Sequence, residues 1–373
     1  MPPTLTVRAL SLILLLAAPA ALAARQAEDP DVDELVRRHV EARGGAAAIA
    51  AIRTLVYRNG RYREPGFEGN GRSTMSFMRP YYRVVGDPDR PGAYLEGYDG
   101  SAWEWYADPG VVVRTVGAAA GAARRGADFE GRLVDYRAKG STVVLGEPSV
   151  IDGRPAHRLT LTTRDGFRRD YFLDAETALI VAERYVAPVH AFGAPVRSEV
   201  RVGDYRRVAG VLFAFRFREV DLETGALLNE MQWGDVEANV DLPLERFTPP
   251  GFERTPMQRF LEGLYAERAD EDAVLWTYAE FRRAHPDMDT EPGVAFIGYQ
   301  MQKMGDTGVA VRLLEANARD HPESSPAAFA LGRAYASHGM TLAARRELER
   351  ALALDPGNER AREALAALPT PDA

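Results

Sequence analysis

The sequence predicts an α+β protein in which a strongly curved antiparallel sheet is followed by an all-α region of helical repeats. Two observations lead to this fold class. From about Thr54 to Phe247, short alternating segments are separated by Gly or Asp turns, which is typical of an antiparallel sheet. Beyond residue 250 the pattern becomes helical and repeats itself after 34 residues. The chain has 373 residues, which is enough for two parts that each bury a core.

The first residues have the layout of a secretory signal peptide. Arg8 precedes an apolar run from Ala9 to Leu16, and a small-residue triplet ends at Ala23. The rival interpretation is a membrane anchor, but the run is shorter than the roughly 20 residues that span a bilayer. We therefore expect residues 1–23 to be a signal peptide and the mature protein to be soluble and periplasmic or secreted.

Composition narrows the range of functions. The formal net charge is -8, which argues against binding to nucleic acid or to anionic lipid surfaces. The chain has no cysteine, so a disulfide framework, a thiolate metal site and a cysteine-linked lipid anchor are excluded.

The chain after the signal opens with helical spacing. Val32, Leu35, Val36 and Val40 fit one helix face, and Gly44-Gly45 should interrupt the helix before an alanine-rich turn that ends near residue 53. A second helical stretch is expected inside the strand region, because residues 117–136 are rich in Ala, Gly and Arg. This stretch either covers the open face of the curved sheet or forms a plain surface connection.

The segment from Val211 to Val220 carries the clearest strand pattern. Phe213, Phe215 and Phe217 should project to one face, because side chains alternate along a strand. Two interpretations stay open: the three rings belong to an ordinary core, or they line a ligand cavity. The same question applies to the other candidate ligand-binding residues, Trp103, Trp105 and Trp233.

The C-terminal part shows the 34-residue period at several positions. The first set is Ile297, Gly298, Gly305, Ala310, Leu314 and Pro322, and the second is Leu331, Gly332, Gly339, Ala344, Leu348 and Pro356. A helix-turn-helix unit of this length, with small residues where the helices cross, resembles the tetratricopeptide repeat. We expect a repeat domain over residues 256–368, with a third, degenerate unit over residues 256–290, and we expect it to dock a protein partner.

The first part resembles the LolA-like family of outer-membrane lipoprotein-sorting proteins. The resemblance rests on a series of short motifs in shared order: Glu41-Ala42-Arg43-Gly44-Gly45, Tyr98-Asp99-Gly100 with Trp103, Ala127-Asp128-Phe129-Glu130-Gly131, Leu133-Val134-Asp135-Tyr136, Asp152-Gly153 with Ala156, Tyr171 with Asp174-Ala175-Glu176-Thr177, Asp204-Tyr205-Arg206 and Phe247-Thr248-Pro249-Pro250. It implies, for residues 24–255, a half-open antiparallel barrel with helices covering its concave side. It also implies a hydrophobic ligand, a lipid or a lipoprotein acyl chain, shielded from water in an apolar cavity.

No catalytic motif stands out. The sequence lacks a nucleophile elbow, a Walker loop, a dinucleotide fingerprint and a zinc-protease motif, and its six histidines show no ligand spacing. We therefore expect a protein that is not an enzyme and needs neither metal nor cofactor. The alternative to a hydrophobic-ligand carrier is an envelope structural or assembly factor with a filled barrel core, acting through its repeats alone.

Overall fold

The structure is a computed structural model that describes residues 31–63, 72–86, 95–187 and 196–369. The predicted signal peptide, residues 1–23, lies outside the described residues. Within the described ranges, each helix is too short or too polar to cross a bilayer.

Two helices precede the sheet, as the sequence predicts. They are α1 (Val32–Arg43) and α2 (Ala46–Ala51). Gly44 and Gly45 separate them, both with positive φ, and their amides donate to the carbonyls of Glu41 and Val40 at 2.9 Å. A side chain at Gly44 would collide with the carbonyl of Gly210, so this position requires glycine for space as well as for conformation.

The middle of the chain forms one antiparallel sheet. Its strands are β1 (Thr54–Arg63), β2 (Arg72–Met78), β3 (Tyr81–Gly86), β4 (Leu95–Tyr98), β5 (Ala102–Tyr106), β6 (Val111–Arg114), β7 (Thr142–Leu145), β8 (Ser149–Ile151), β9 (Arg154–Thr162), β10 (Arg168–Asp174), β11 (Ile180–Ala187), β12 (Val196–Val208), β13 (Val211–Asp221), β14 (Leu227–Gln232) and β15 (Asp235–Ala238). The order is β6-β5-β4-β3-β2-β1-β14-β13-β12-β11-β10-β9-β7, with β15 on β1 and β8 on β9. Among the described residues β6 and β7 do not pair, so the sheet stays open.

The sheet is strongly curved. Met75 on β2 and Tyr185 on β11 line the same cavity, although five strand steps separate β2 from β11 in the sheet order. In a flat sheet five steps would span about 24 Å. The concave face therefore folds around an interior space, as expected for an open half-barrel.

A helical insert lies on this concave face. It consists of α3 (Gly117–Gly126) and the turns that follow, and we call residues 117–136 the cover segment. Phe129 contacts Phe77 of β2 with the ring centroids 5.7 Å apart, and Leu133 is buried with Leu35 of α1. Of the two interpretations left open by the sequence, the structure shows the covering position.

The C-terminal part is helical. A short 3-10 turn (Leu244–Phe247) leads to α4 (Pro256–Ala266), α5 (Glu271–Ala284), α6 (Glu291–Met304), α7 (Thr307–Asp320), α8 (Ser325–Ser337), α9 (Thr341–Leu354) and α10 (Glu359–Ala366). The start of α4 is fixed by a capping box in which Thr255 and Gln258 each accept from the other's backbone amide.

The helices pack against β5 and β6, at one edge of the sheet. Val111 and Val113 of β6 share a core cluster with Phe260, Leu261 and Leu264 of α4. At the same interface Lys303 of α6 forms an ion pair with Glu104 of β5 at 2.6 Å, and both side chains are about nine-tenths buried. The short junction from Pro249 to Pro256 therefore joins two parts that are in contact.

This interface lies on the same face of the sheet as the interior space. Val113 pairs with Glu104, Glu104 with Glu96, and Glu96 with Val84, and register partners in an antiparallel sheet point to one face. Val84 shares its face with Tyr82, which packs on Phe77. The helices thus cover one end of the concave face, and the cover segment covers its middle.

Candidate functional site

The concave face encloses a cavity of about 470 Å³. This volume lies within the range of roughly 300–1,000 Å³ that is usual for small-ligand sites. Its apolar wall is formed by Tyr57, Met75, Phe77, Phe129, Leu133, Ile180, Val200, Phe217, Met231 and Trp233, and its polar wall by His39, Tyr62, Arg125, Asp128, Arg132, Arg169, Tyr171, Glu183, Tyr185, Glu219 and Asn229.

Two of the six predicted ligand-binding residues line this cavity. Phe217 on β13 pairs with Met231 on β14, so the two side chains lie together on the concave face. Trp233 follows β14, and its indole lies against the backbone of Gly60 on β1. A methyl group at Gly60 would come within 2.5 Å of the indole, so glycine gives Trp233 its space.

Phe213 and Phe215 are buried deeper in the same apolar cluster as Phe217 and Trp233. The Arg43 guanidinium lies 5.7 Å from the Phe213 ring centroid, and the Arg206 guanidinium lies 4.4 Å from that of Phe215. The alternation on β13 thus brings the three rings to one apolar cluster, but the structure places only Phe217 at the cavity.

Trp103 and Trp105 lie on the other face of the sheet. Trp103 pairs with Gly97, and Gly97 pairs with Arg83, so Trp103 lies on the same face as Arg83. Phe77, which lines the cavity, pairs with Tyr82, and Tyr82 points to the opposite face from its neighbour on β3. The absence of a side chain at Gly97 leaves room for the indole, whose Nε1 donates to the carbonyl of Phe247 at 2.9 Å. Trp103 is therefore buried beneath the 3-10 turn, away from the cavity.

Two arginines fasten the cover segment to the sheet, and of these Arg43 is buried and Arg79 is exposed. Arg43 at the end of α1 donates from Nη1 to the carbonyl of Glu130 and from Nε to the carbonyl of Leu212 at 3.3 Å. Arg79 forms an ion pair with Glu130, and its guanidinium lies 4.9 Å from the Phe129 ring centroid. These contacts fix the cover segment over the apolar wall of the cavity.

The opposite wall is polar, and several of its charged groups pair with one another. Arg169 on β10 forms an ion pair with Glu183 on β11, and both side chains are about 15% exposed. The Arg169 guanidinium also lies 3.9 Å from the Tyr185 ring centroid, and the Tyr185 hydroxyl donates to Glu219 at 3.2 Å. Burial raises the pKa of the Tyr185 phenol well above its ordinary value, so the hydroxyl stays protonated.

His39 of α1 is a further buried polar group at the cavity. Its ring is 1% exposed, and its Nδ1 lies 2.9 Å from the carbonyl of Ala178. Because a carbonyl only accepts, Nδ1 must carry the proton. Burial, with the nearby charge of Arg43, lowers the pKa of His39 from 6.5 to about 4, so the ring is neutral at physiological pH.

Sequence reasoning missed this polar wall. The signal was present, because Arg169 and Tyr171 alternate on β10 while Glu183 and Tyr185 alternate on β11, and register pairing brings the four to one face. Only the register between neighbouring strands shows that this face of the sheet borders the cavity. Within the described ranges, no group of three or more metal-ligating side chains converges.

No protein-family model and no curated protein matches this chain. Among solved structures, it is similar to a DUF1329 family protein from Desulfovibrio piger ATCC 29098, with 11% identity and a TM-score of 0.38 over 59% of this chain and 98% of that one. It is also similar to a LolA superfamily protein from Nitrosomonas europaea, with 14% identity and a TM-score of 0.41 over 59% of this chain and 99% of that one. A third similar structure is the complex of Pseudomonas aeruginosa MucA and MucB, with 14% identity and a TM-score of 0.22 over 58% of this chain and 61% of that one.

Proposed function

We propose that this protein is an exported, non-catalytic binding protein. Its half-barrel takes a hydrophobic ligand, such as a lipid or a lipoprotein acyl chain, and its C-terminal tetratricopeptide repeats bind a protein partner. The main support for the ligand-binding function is the cavity of about 470 Å³ between the concave face and the cover segment. A barrel core filled by its own side chains, as in the structural-factor alternative, would not leave this space.

The lining of the cavity supports a greasy ligand. Aromatic rings and the flexible side chains of Met75 and Met231 form one continuous apolar wall, and thioether side chains adapt to ligands of varied shape. Burial of acyl surface against such a wall contributes about 25 cal/mol per Å². Useful affinity then requires few specific polar contacts.

The helical part supports the second half of the proposal. A side chain added at Gly298 would contact Leu314 at 2.8 Å, and one added at Gly332 would contact Leu348 at 2.8 Å. The same close crossing thus recurs between α6 and α7 and between α8 and α9. Trp276 on α5 is 66% exposed, and large exposed aromatic side chains are frequent anchors of protein interfaces.

A titration with a fluorescent fatty acid tests the carrier function. The Met75→Trp variant should fill part of the cavity and weaken binding by about tenfold or more, because the enlarged side chain occupies the space of the acyl chain. Met340→Trp is the matched control, since Met340 is 43% exposed on the helical part. A Met75→Trp variant that melts like the wild type and binds the probe equally well would contradict the proposed site.

Photo-crosslinking tests the partner function. A photoreactive phenylalanine in place of Trp276 should yield one discrete adduct in an exported-protein preparation. The same group in place of Val150, a residue of β8 that is 68% exposed, is the control and should yield none. Equal patterns from the two positions would contradict a role for the surface around Trp276.

A further inference from the structure

A second pocket of about 720 Å³ lies next to the cavity and is distinctly basic. Arg125, Asp128 and Arg132 line both, so the pocket and the cavity meet at these side chains. We call it the basic pocket, and its lining is Arg124, Arg125, Asp128, Arg132, Lys139, Ser141, Thr163, Arg164 and Asp165.

The charges of the basic pocket do not cancel. Five cationic side chains face two carboxylates, in a protein whose formal net charge is -8. Asp165 accepts from Arg124 at 2.8 Å and from Arg125 at 2.6 Å. Asp128 pairs with Lys139 at 2.7 Å. The carboxylates are thus already engaged, and a positive surplus remains.

Arg132 stands where the pocket and the cavity meet. Its Nη2 donates to the carbonyl of Arg125 at 3.0 Å, and its Nη1 lies 3.5 Å from the Tyr171 hydroxyl. Its Nε is buried and has no hydrogen-bond partner. Within the described part of the chain, neither Arg132 nor Arg164 forms an ion pair with a carboxylate. A buried donor without a partner is costly, so a ligand acceptor at this point would be favoured.

We propose that the ligand of this protein is an amphiphile with an anionic head group, whose acyl chain lies in the cavity and whose head lies in the basic pocket between Arg132 and Arg164. The inference rests on the proposed carrier function and adds the chemistry of the head. The apolar wall is suited to the acyl chain of the ligand. Guanidinium groups are suited to the phosphate or carboxylate oxygens of its head group. The fold places the two environments side by side, and Arg132 belongs to both.

Displacement of the fluorescent fatty acid by three competitors tests this assignment. Dodecyl phosphate carries both parts of the proposed ligand, dodecyl glucoside carries the same chain with a neutral head, and inorganic phosphate carries the head alone. Dodecyl phosphate should bind about tenfold tighter than dodecyl glucoside, which is the effect of one charge-assisted hydrogen bond. Inorganic phosphate should not displace the probe.

The variants are Arg132→Gln, Arg164→Gln and the double substitution. Each should reduce the preference for dodecyl phosphate over dodecyl glucoside. Arg164→Gln should also leave the affinity for dodecyl glucoside unchanged, because Arg164 lines the basic pocket and not the cavity. Arg164 is exposed, so its substitution keeps the test valid if Arg132→Gln disturbs the fold. The matched control is Arg218→Gln, because Arg218 is exposed on β13 and alternates with Phe217, away from the cavity.

Each outcome separates the two proposals. Equal affinity for dodecyl phosphate and dodecyl glucoside, unchanged in the variants, would overturn the anionic head and leave the carrier function standing. Failure of both dodecyl phosphate and dodecyl glucoside to bind would overturn the carrier function itself. Displacement by inorganic phosphate as strong as that by dodecyl phosphate would show a site for free anions and would overturn the amphiphile.

Discussion

Acidification should destabilise this protein through His39, a residue that the cavity wall holds neutral. The ring is buried, donates to the carbonyl of Ala178 and lies near the positive charge of Arg43. Protonation would place a second positive charge in the same dry environment. The perturbation is His39→Gln, because the glutamine amide can still donate a hydrogen bond but carries no titratable proton.

The magnitude follows from the shift of the pKa. Burial lowers the pKa of His39 from 6.5 to about 4. Between these values the unfolded chain binds a proton that the folded protein excludes, so stability is complete above pH 6.5 and falls with decreasing pH. At about 1.4 kcal/mol per pKa unit, the loss should reach about 2 kcal/mol near pH 5 and about 3 kcal/mol below pH 4.

Urea unfolding at about pH 7.5 and about pH 5 measures this effect. Carboxylates also titrate toward acid, so the informative quantity is the difference between the wild type and His39→Gln at each pH. The wild type should lose about 2 kcal/mol more than the variant between the two conditions. An equal loss in both proteins would refute the argument, because it would mean that His39 is as easily protonated in the folded state as in the unfolded chain.

Two further predictions concern packing. Lys303→Met should lower the free energy of unfolding by about 3–5 kcal/mol, because it leaves the carboxylate of Glu104 buried without its cation, and adding Glu104→Gln should recover part of the loss in thermal or urea unfolding. If the single and double variants are equally unstable, the ion pair is not the cause. Gly332→Ala should cost about 1–3 kcal/mol, because the new methyl group would lie 2.8 Å from the Leu348 side chain. The control Gly263→Ala, in a helix with open space around the site, should be neutral or stabilising by up to about 1 kcal/mol, and a similar loss in both would contradict the close-crossing argument.

Helix ends and turns could be predicted from the sequence where one residue type forces one backbone conformation. Gly44-Gly45 ends α1 at the position that the sequence indicates. Asp174 similarly fixes a turn, because its Oδ1 accepts from the amide of Thr177 at 2.8 Å. Alternation likewise brought Phe213 and Phe217 to one apolar cluster. These are local rules, so one sequence suffices to apply them.

The position of a side chain relative to the cavity could not be predicted in the same way. Trp103 and Trp233 are both aromatic residues near strand ends, yet they lie on opposite faces of the sheet. The difference depends on register, since Trp103 pairs with Gly97 whereas Trp233 follows the strand that carries Met231. Register arises from pairing between distant segments, and the sequence pattern of a single strand does not contain it.

Native mass spectrometry, followed by lipid extraction, on wild-type protein purified from an exported preparation would test whether the cavity holds a hydrophobic ligand. We expect a well-folded protein with one bound hydrophobic molecule per chain, and a Met75→Trp variant that folds but carries none. A well-folded wild-type protein that is empty as isolated, and that takes up no fatty acid when one is offered, would contradict this expectation.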